Sequence, residues 1–253
     1  MTSQSDKYRA FAALHVPGDP VILFNAWDAG SARVVAEAGA GAIATGSASV
    51  AGAQGFSDAE ALPLGLALAN AARVVEAVDL PVTIDFEGGY AVEPEGVAAN
   101  MARLAATGAI GCNFEDQVVG GEGIYEIVEQ AGRLAAARKA VGADFFINAR
   151  TDLFLKAKSD THDAAMVDAA LERARAYADV GASGFFVPLL ADLALLERIC
   201  AASPLPVNFM AFPGAPSAKE VAATGVARIS HGPFPWKLAM AALKEAAARE
   251  YGR

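Results

Sequence analysis

Short apolar runs of strand length recur along the chain, and alanine-rich segments with apolar residues at every third or fourth position separate them. Continuous apolar runs are typical of strands in a parallel sheet, and the intervening spacing is typical of amphipathic helices. Gly, Pro, Asp or Asn bounds each run, which favours a break there. The pattern predicts eight strands, at residues 21–27, 42–47, 82–87, 110–115, 145–151, 184–189, 207–211 and 227–231.

A helical segment follows each predicted strand, and a short helix around residues 7–14 precedes the first strand. Asp163 and Ser217 are residue types that cap helix starts, while Gly181 and Gly225 stand where helices are expected to end. The predicted helices cover residues 31–38, 59–77, 94–106, 124–141, 163–180, 193–202, 218–223 and 235–248.

Eight strand–helix units in 253 residues predict an α/β fold in which residues 1–253 form one closed (β/α)8 TIM barrel. The alternative is an open doubly wound sheet, which has fewer strands and a glycine-rich first turn. The first turn here, residues 25–31, reads Asn-Ala-Trp-Asp-Ala-Gly-Ser and lacks that fingerprint. The barrel is therefore the favoured prediction.

Charge and composition narrow the range of partners. The chain has 20 Lys and Arg against 29 Asp and Glu, a net charge of −9, and no basic cluster. Nucleic acids and anionic membrane surfaces are bound through clustered basic residues, so neither is expected as a partner. Residues 1–7 do not resemble a signal peptide, and no apolar stretch is long enough to span a membrane. Two cysteines cannot build a disulfide framework, so we expect a soluble cytoplasmic protein.

Polar side chains accumulate at the carboxyl ends of the predicted strands, where the active site of a (β/α)8 barrel lies. The amino ends of the same strands show little comparable polarity, and this asymmetry is typical of an active barrel. The polar residues are Asn25 and Asp28, Thr45 and Ser47, Asp85 and Glu87, Asn113 and Glu115, Asn148 and Arg150, Asn208, and His231.

Three of these residues, Asp85, Glu87 and Glu115, are carboxylates on neighbouring predicted strands. Residues two apart on a strand share a face, so Asp85 and Glu87 are expected to point to the same side. Carboxylates that converge in a cleft repel one another unless a cation neutralises them. Oxygen ligands favour Mg²⁺, or Mn²⁺, over zinc. The alternative is that these acids only cap helices or pair with lysines.

Other candidate residues have both a functional and a structural interpretation. Arg150 is either a clamp for a substrate carboxylate or phosphonate, or a structural counter-ion. Asp58 either starts the helix after the second strand or reaches over the barrel mouth from a flap. Cys112 is out of phase with Glu115 and is expected to face the helix layer as a core residue. The chain has no Gly-x-Ser-x-Gly elbow to support a serine hydrolase.

In their order and strand positions, several motifs resemble the isocitrate lyase/phosphoenolpyruvate mutase superfamily. The resemblance runs from about residue 21 through the last helix. The motifs are Asn25 with residues 31–32, Thr-Gly-Ser-Ala-Ser-Val at 45–50, Asp58, Asp-Phe-Glu-Gly-Gly-Tyr at 85–90, Phe-Glu-Asp-Gln at 114–117, Asn-Ala-Arg-Thr-Asp at 148–152 and Val-Ala-Arg-Ile-Ser at 226–230.

The resemblance implies a barrel enzyme that binds Mg²⁺ and a small anionic 2-oxo acid, whose enolate the metal stabilises. It implies that Asp85 is the direct metal ligand and that Glu87 and Glu115 hold metal-bound water. It also implies that the last helix is exchanged between subunits of a homo-oligomer. The substrate site is expected to include Asn25, Trp27, Gly46, Ser47, Ala48, Arg150 and Asn208, and the catalytic residues Asp58, Glu115 and Arg150.

The chain departs from the superfamily pattern at three places. The lyase branch has Lys-Lys-Cys-Gly-His on the loop after the fourth strand, whereas residues 118–125 read Val-Val-Gly-Gly-Glu-Gly-Ile-Tyr. Ala44 stands where many members have an aromatic residue, so either Trp27 fills that space or the substrate differs. Glu87 stands where the family usually has aspartate. Without the loop cysteine, Tyr125 and Asp58 are the evident proton donors.

The expected activity is Mg²⁺-dependent lyase or decarboxylase cleavage of a C–C bond in a small 2-oxo or hydroxy dicarboxylate. A first alternative is C–P bond chemistry on phosphonopyruvate, as a mutase or a hydrolase. A second, from another functional class, is a non-catalytic barrel that binds a dicarboxylate.

Overall fold

The computed structural model describes residues 3–252 and contains the closed parallel barrel that the sequence predicts. The strands follow one another around the barrel in the order β2-β9-β8-β7-β6-β5-β4-β3, and every neighbouring pair in that order is parallel. A parallel bridge between Ala26 and Thr45 joins the chain after β2 to the chain after β3, which closes the ring. The strands are β1 His15–Val16, β2 Asp19–Leu23, β3 Ile43–Ala44, β4 Val82–Asp85, β5 Gly111–Glu115, β6 Phe146–Arg150, β7 Gly184–Phe186, β8 Val207–Met210 and β9 Arg228–Ser230.

Helices connect the strands, and most lie where the apolar spacing predicts them. Asp163 accepts a hydrogen bond from the amide of Met166, and Ser217 forms a capping box with Glu220, so both predicted caps are confirmed. The helices are α1 Gln4–Ala13, α2 Ala29–Glu37, α3 Ser47–Ala53, α4 Leu64–Ala77, α5 Pro94–Ala105, α6 Ile127–Val141, α7 Leu153–Lys156, α8 Ala164–Asp179, α9 Leu193–Ala202, α10 Ala218–Ala223 and α11 Phe234–Glu250, with a 3-10 turn at Ser159–Thr161.

Several predicted boundaries are wrong, and three of them bear on the site. The strand expected at 21–27 ends at Leu23, and its start pairs with the short antiparallel β1. The helix expected at 59–77 begins only at Leu64, because residues 54–63 form a loop in which Ala59 and Glu60 have φ near +60°. Residue 47, expected to end a strand, starts the seven-residue helix α3. Short helices at strand ends lack the repeated apolar spacing that a sequence pattern needs.

The barrel wall separates an apolar outer layer from a polar interior. Cys112 is buried against Met101 of α5, with 3.7 Å between the two sulfur atoms, which confirms that it faces the helix layer. The buried polar side chains on the strands include Thr83, Asn113, Asn148, Asn208 and Arg228. Among residues 3–252, no helix has the length and apolar character needed to cross a membrane.

Candidate active site

A cavity of about 170 Å³ opens at the carboxyl ends of the strands, where the sequence predicts the site. Its described lining includes one basic side chain, Arg150, and two carboxylates, Asp58 and Asp85. An apolar wall formed by Leu155, Phe186, Pro188 and Met210 lies beside these charged groups. The remaining lining residues are Asn25, Gly46, Ser47, Ala48, Asn113, Ser230, Gly232 and Pro233.

The Asp85 carboxylate is fixed from two sides. Its Oδ2 accepts hydrogen bonds from the amide and the hydroxyl of Ser47, both at 2.9 Å, and its Oδ1 accepts one from Asn113 Nδ2 at 3.1 Å. The Oδ1 of Asn113 in turn accepts from Asn148 and Arg228, which orients the amide group so that its NH₂ faces Asp85. Asp85 therefore presents a carboxylate of defined orientation to the cavity.

Glu87 does not follow the strand alternation that predicts its direction. The strand ends at Asp85, and Glu87 has φ +50°, so its side chain turns to the neighbouring loop. Its Oε2 accepts from the amide of Glu60 at 2.6 Å, and its Oε1 accepts from the Tyr90 hydroxyl at 3.2 Å. Burial, opposed by the Glu60 amide and reinforced by the charges of Asp85 and Asp58, raises the pKa of Glu87 to about 7. Glu87 lines a separate void of about 20 Å³ that it shares with Asp85.

Arg150 is held in place by two carboxylates. Its Nη1 lies 2.7 Å from Glu115 Oε2, and its Nε and Nη2 form a bidentate pair with Asp152 at 2.5 and 3.0 Å. Burial opposes the charge of Arg150, but Glu115 and Asp152 outweigh it and raise the pKa of the guanidinium above its ordinary value. Its guanidinium carbon also lies 5.8 Å from the centre of the Phe186 ring. The arginine is therefore a fixed cation on the cavity wall.

Asp58 lies on the loop of residues 54–63, above the cavity, and does not start a helix. Helix α4 begins at Leu64, so the interpretation of Asp58 as a helix cap is wrong and the flap interpretation describes its position. The side chain keeps much of its surface in water. Partial desolvation and the nearby Asp85 charge raise its pKa above the ordinary aspartate value.

Gly46, Ser47 and Ala48, which the resemblance places in the substrate site, lie at the start of α3. All three residues line the cavity, but the amide of Gly46 already donates to Ala26 O and that of Ser47 to Asp85. Asn25 lines the cavity too, and its side chain links the carbonyl of Thr45 to the amide of His231, each at 2.7 Å. Asn25 therefore links the chain after β3 to the chain after β9 at the rim of the barrel.

Two predicted substrate contacts lie outside the lining of this cavity. Trp27 packs against the apolar cluster of Val50, Ala51 and Leu62, because the chain has already left β2 and entered the turn before α2. Asn208 is buried deeper in the barrel, where its Oδ1 accepts from Ser230 at 3.3 Å. Neither side chain reaches the cavity in this structure.

The loop of residues 118–125 supplies no proton donor to the cavity. Tyr125 is buried, and its ring stacks on the guanidinium of Arg133 at 4.2 Å. The sequence did not predict this contact, because an arginine in the middle of a helix is usually expected to face solvent. Of the two predicted donors, Asp58 is the one on the cavity wall.

The donor set suits a hard divalent cation at Asp85. Within residues 3–252, no group of three or more His, Cys, Asp and Glu side chains is gathered as a ready metal site. Of the three predicted metal-site carboxylates, Glu87 is engaged by Glu60 and Glu115 by Arg150, and Asp85 is the one that lines the cavity. Its oxygen chemistry and the raised pKa of Glu87 beside it fit a site that a Mg²⁺ ion would complete.

Comparison with known proteins identifies the family. The family model of phosphoenolpyruvate phosphomutase matches residues 11–250. The chain belongs to that family. The resemblance to the isocitrate lyase/phosphoenolpyruvate mutase superfamily is therefore confirmed, and its members with assigned activities cleave or rearrange C–C or C–P bonds.

Three relatives span most of the chain. The crystal structure of a provisionally named phosphonomutase from Burkholderia cenocepacia J2315 is 51% identical, with a TM-score of 0.94 over 99% of this chain and 100% of that one. An uncharacterised protein of Mycobacterium tuberculosis is 33% identical over 94% of this chain and 87% of its own length. The 2-methylisocitrate lyase of Escherichia coli is 29% identical over 79% of this chain and 68% of its own length.

Proposed function

We propose that this enzyme is a Mg²⁺-dependent lyase or decarboxylase that cleaves a C–C bond in a small 2-oxo or hydroxy dicarboxylate. The observation that carries the proposal is that one cavity is lined by both the oriented Asp85 carboxylate and the fixed Arg150 guanidinium. A cation held by the first and an anionic group held by the second would bring a charged substrate into a defined position.

Asp85 would hold the cation directly, with Glu87 and Glu115 contributing through water. When bound, Mg²⁺ would supply Lewis-acid stabilisation of the negative charge that develops on a substrate oxygen as the bond breaks. Ser47 and Asn113 keep the Asp85 carboxylate oriented, so no side-chain rearrangement is needed when the substrate arrives.

Arg150 would bind the substrate carboxylate. Glu115 and Asp152 restrict its rotamers and leave its charge in place, and a guanidinium makes directed paired hydrogen bonds to a carboxylate. Glu115 would therefore have two roles: it would hold the Arg150 guanidinium in place, and it would bind a water molecule coordinated to the metal. The apolar side chains of Leu155, Phe186 and Met210 would exclude water from the rest of the substrate.

Asp58 would exchange a proton with the substrate. It lines the same cavity, it lies on a loop above the barrel mouth, and its pKa is raised. A carboxyl whose pKa moves towards neutrality is a better acid at physiological pH than an ordinary aspartate.

C–P bond chemistry on phosphonopyruvate is the second candidate. The 51% identical Burkholderia protein carries a provisional phosphonomutase name, and this favours a mutase or hydrolase activity here. A phosphonate is also a good ligand for a fixed arginine.

A panel of oxaloacetate, phosphonopyruvate, methylisocitrate and 2,3-dimethylmalate with Mg²⁺ tests the two candidates. Pyruvate released from a dicarboxylate supports C–C cleavage, whereas phosphate or phosphoenolpyruvate from phosphonopyruvate supports C–P chemistry. Calorimetry with oxalate, with and without Mg²⁺, completes the test. No turnover together with metal-independent oxalate binding would contradict both and would favour a binding protein.

We also propose that α11 packs on a second copy of the chain. Of its 17 residues only Pro235 is buried, while Leu238 and Leu243 are 66% and 61% exposed. Helix faces of this kind are covered in a stable protein. Replacing both leucines with aspartate is expected to convert an oligomer to a monomer in size-exclusion chromatography with light scattering. A wild-type monomer, or an oligomer that persists in the variant, would contradict this.

A further inference from the structure

The loop of residues 54–63, which carries Asp58, contacts the turn after β4, and both segments have unusual backbone conformations at this contact. Within the described chain, five non-glycine residues have positive φ, and four of them lie here: Ala59, Glu60, Glu87 and Tyr90. Such conformations cost free energy and persist where the surrounding contacts over-determine them. We therefore expect specific interactions to stabilise the contact between the loop and the turn.

Glu60 makes those interactions with both its backbone and its side chain. Its amide donates to Glu87 Oε2 at 2.6 Å, and its own Oε1 accepts from the amide of Tyr90 at 2.8 Å. The backbone amide of Gly88 lies close enough to the Glu60 carboxylate to favour its ionised form and so to lower its pKa. A Cβ added at Gly88 would lie 3.0 Å from Glu60 Oε1, so the glycine leaves the space in which the carboxylate sits.

Arg133 of α6 shapes the turn so that its amides face Glu60. The guanidinium donates hydrogen bonds to three carbonyls of the turn, those of Gly88, Ala91 and Val92, at 2.5, 2.9 and 3.2 Å. Because these carbonyls point towards α6, the amide of Tyr90 on the other side of the turn can donate to the Glu60 carboxylate. Burial raises the pKa of Glu60, and the Tyr90 amide and the charge of Arg133 oppose that shift.

The other contact of the loop is apolar and lies beyond Glu60. Leu62 packs in the cluster with Val50 and Ala51, to which Trp27 adds its ring. Asp58 lies between this loop's start at α3 and Glu60, and it stays largely exposed. Glu60 is thus the polar anchor nearest to Asp58.

We infer that Glu60 is a positioning residue that latches the 54–63 loop to the turn after β4 and so holds Asp58 over the cavity. The catalytic consequence rests on the proposed function, whereas the latch itself does not. A loop without the latch would leave Asp58 to sample many positions, and misplacement of a reacting group costs rate.

Hydrogen exchange of the loop amides tests the latch without any substrate. In Glu60→Ala, the amides of residues 54–62 are expected to exchange at least about tenfold faster than in the wild type, because the opening of the loop becomes easier. Glu60→Gln keeps an acceptor for the Tyr90 and Gly88 amides and is expected to recover most of the protection. Glu76→Ala, an exposed position on α4, is the matched control. Unchanged loop exchange in Glu60→Ala would overturn the inference.

A double-mutant cycle tests the consequence for catalysis. Glu60→Ala is expected to lower kcat by about 100-fold with a smaller change in KM, since substrate binding by Arg150 is retained. In an Asp58→Ala background the same substitution is expected to cost less than about threefold, because the group it positions is gone. Additive losses would overturn the inference. If the wild type turns over no substrate of the panel, the proposed function fails, and the exchange result still decides on the latch.

Discussion

At the scale of single residues, the cavity combines an oriented carboxylate with a fixed guanidinium. Asp85 is oriented by Ser47 and Asn113, and Arg150 by Glu115 and Asp152. Each group has partners that hold its rotamer, which is the condition for a preorganised site. The four partners come from the ends of three strands, β3, β5 and β6, so the orientation depends on the barrel as a whole.

Arg150→Lys separates charge from geometry. A lysine keeps the positive charge but loses the paired hydrogen bonds to a carboxylate and to Asp152. We expect KM to rise by at least about tenfold, a loss of more than 1.4 kcal/mol in substrate binding, with a smaller change in kcat. Arg138→Lys on the opposite barrel face is the control, and steady-state kinetics is the measurement. A KM that is the same in both variants would show that Arg150 is only a counter-ion.

The lowered pKa of His15 predicts how the free energy of unfolding depends on pH. Its ring is stacked on Phe146 and donates from Nδ1 to Phe11 O at 2.9 Å, and burial together with the charge of Arg228 lowers its pKa from 6.5 to about 3. His15 is therefore protonated below about pH 6.5 in the unfolded chain, but only below about pH 3 in the folded chain. Stability attributable to this site is complete above pH 6.5 and is lost as the pH falls towards 3.

His15→Phe keeps an aromatic ring in the stack and removes the titration. Between pH 7 and 4, we expect the free energy of unfolding of the wild type to fall by several kcal/mol, on the order of 3, more than that of the variant. Urea unfolding at a series of pH values measures the difference. Parallel curves for the two proteins would contradict the neutral, buried state of His15.

The sequence predicted some of these residues and missed others for a physical reason. Asp85 and Arg150 end regular strands, so alternation gives their direction correctly. Glu87 follows Asp85 by two positions, but its φ of +50° breaks the alternation. Trp27 belongs to a turn rather than to the predicted strand, so it packs elsewhere. Local backbone geometry of this kind is set by tertiary contacts, such as those of Arg133, which no short pattern contains.

At the scale of elements, strand–helix alternation predicts the barrel because each long helix repeats its apolar spacing. Helices α9 and α10 have the predicted bounds, while α3, α7 and the β1–β2 hairpin were missed because they are too short to show a period. Residues 59–63 of the loop were predicted as helix, since alanine and leucine dominate the segment that follows them. The contacts of Glu60 outweigh that propensity.

Gly111 on β5 shows how closely neighbouring strands approach. A Cβ at this position would lie 2.5 Å from Phe146 O of β6, a backbone atom that cannot move without disturbing the strand pair. We expect Gly111→Ala to lower the free energy of unfolding by about 1–3 kcal/mol or more.

Gly132→Ala is the matched control for that substitution. It lies within α6, and nothing stands within 4 Å of the position of its added Cβ. We expect it to be neutral or to stabilise the protein by up to about 1 kcal/mol, because alanine favours the helix. Urea unfolding of both variants makes the comparison, and equal stabilities would contradict the steric explanation.

At the scale of the whole molecule, an acidic protein can bind the proposed anionic substrate only if positive charge is concentrated at the cavity. The net charge is −9, yet Arg150 supplies a fixed cation at the cavity, and a Mg²⁺ ion at Asp85 would supply a second. The barrel brings residues from β4, β5, β6 and the start of α3 to one end, which explains why a site spread over about 100 residues of sequence forms one cavity.

The most direct test of the account is the initial rate of product release as a function of Mg²⁺ for the wild type and Asp85→Ala. The measurement uses whichever substrate of the panel is turned over, after metal has been removed with a chelator. We expect the wild-type rate to vanish without metal and to return with Mg²⁺, and the variant to stay at least about 100-fold slower at every Mg²⁺ concentration. Wild-type turnover that survives the chelator, or a variant with the wild-type response to Mg²⁺, would contradict the assignment of Asp85.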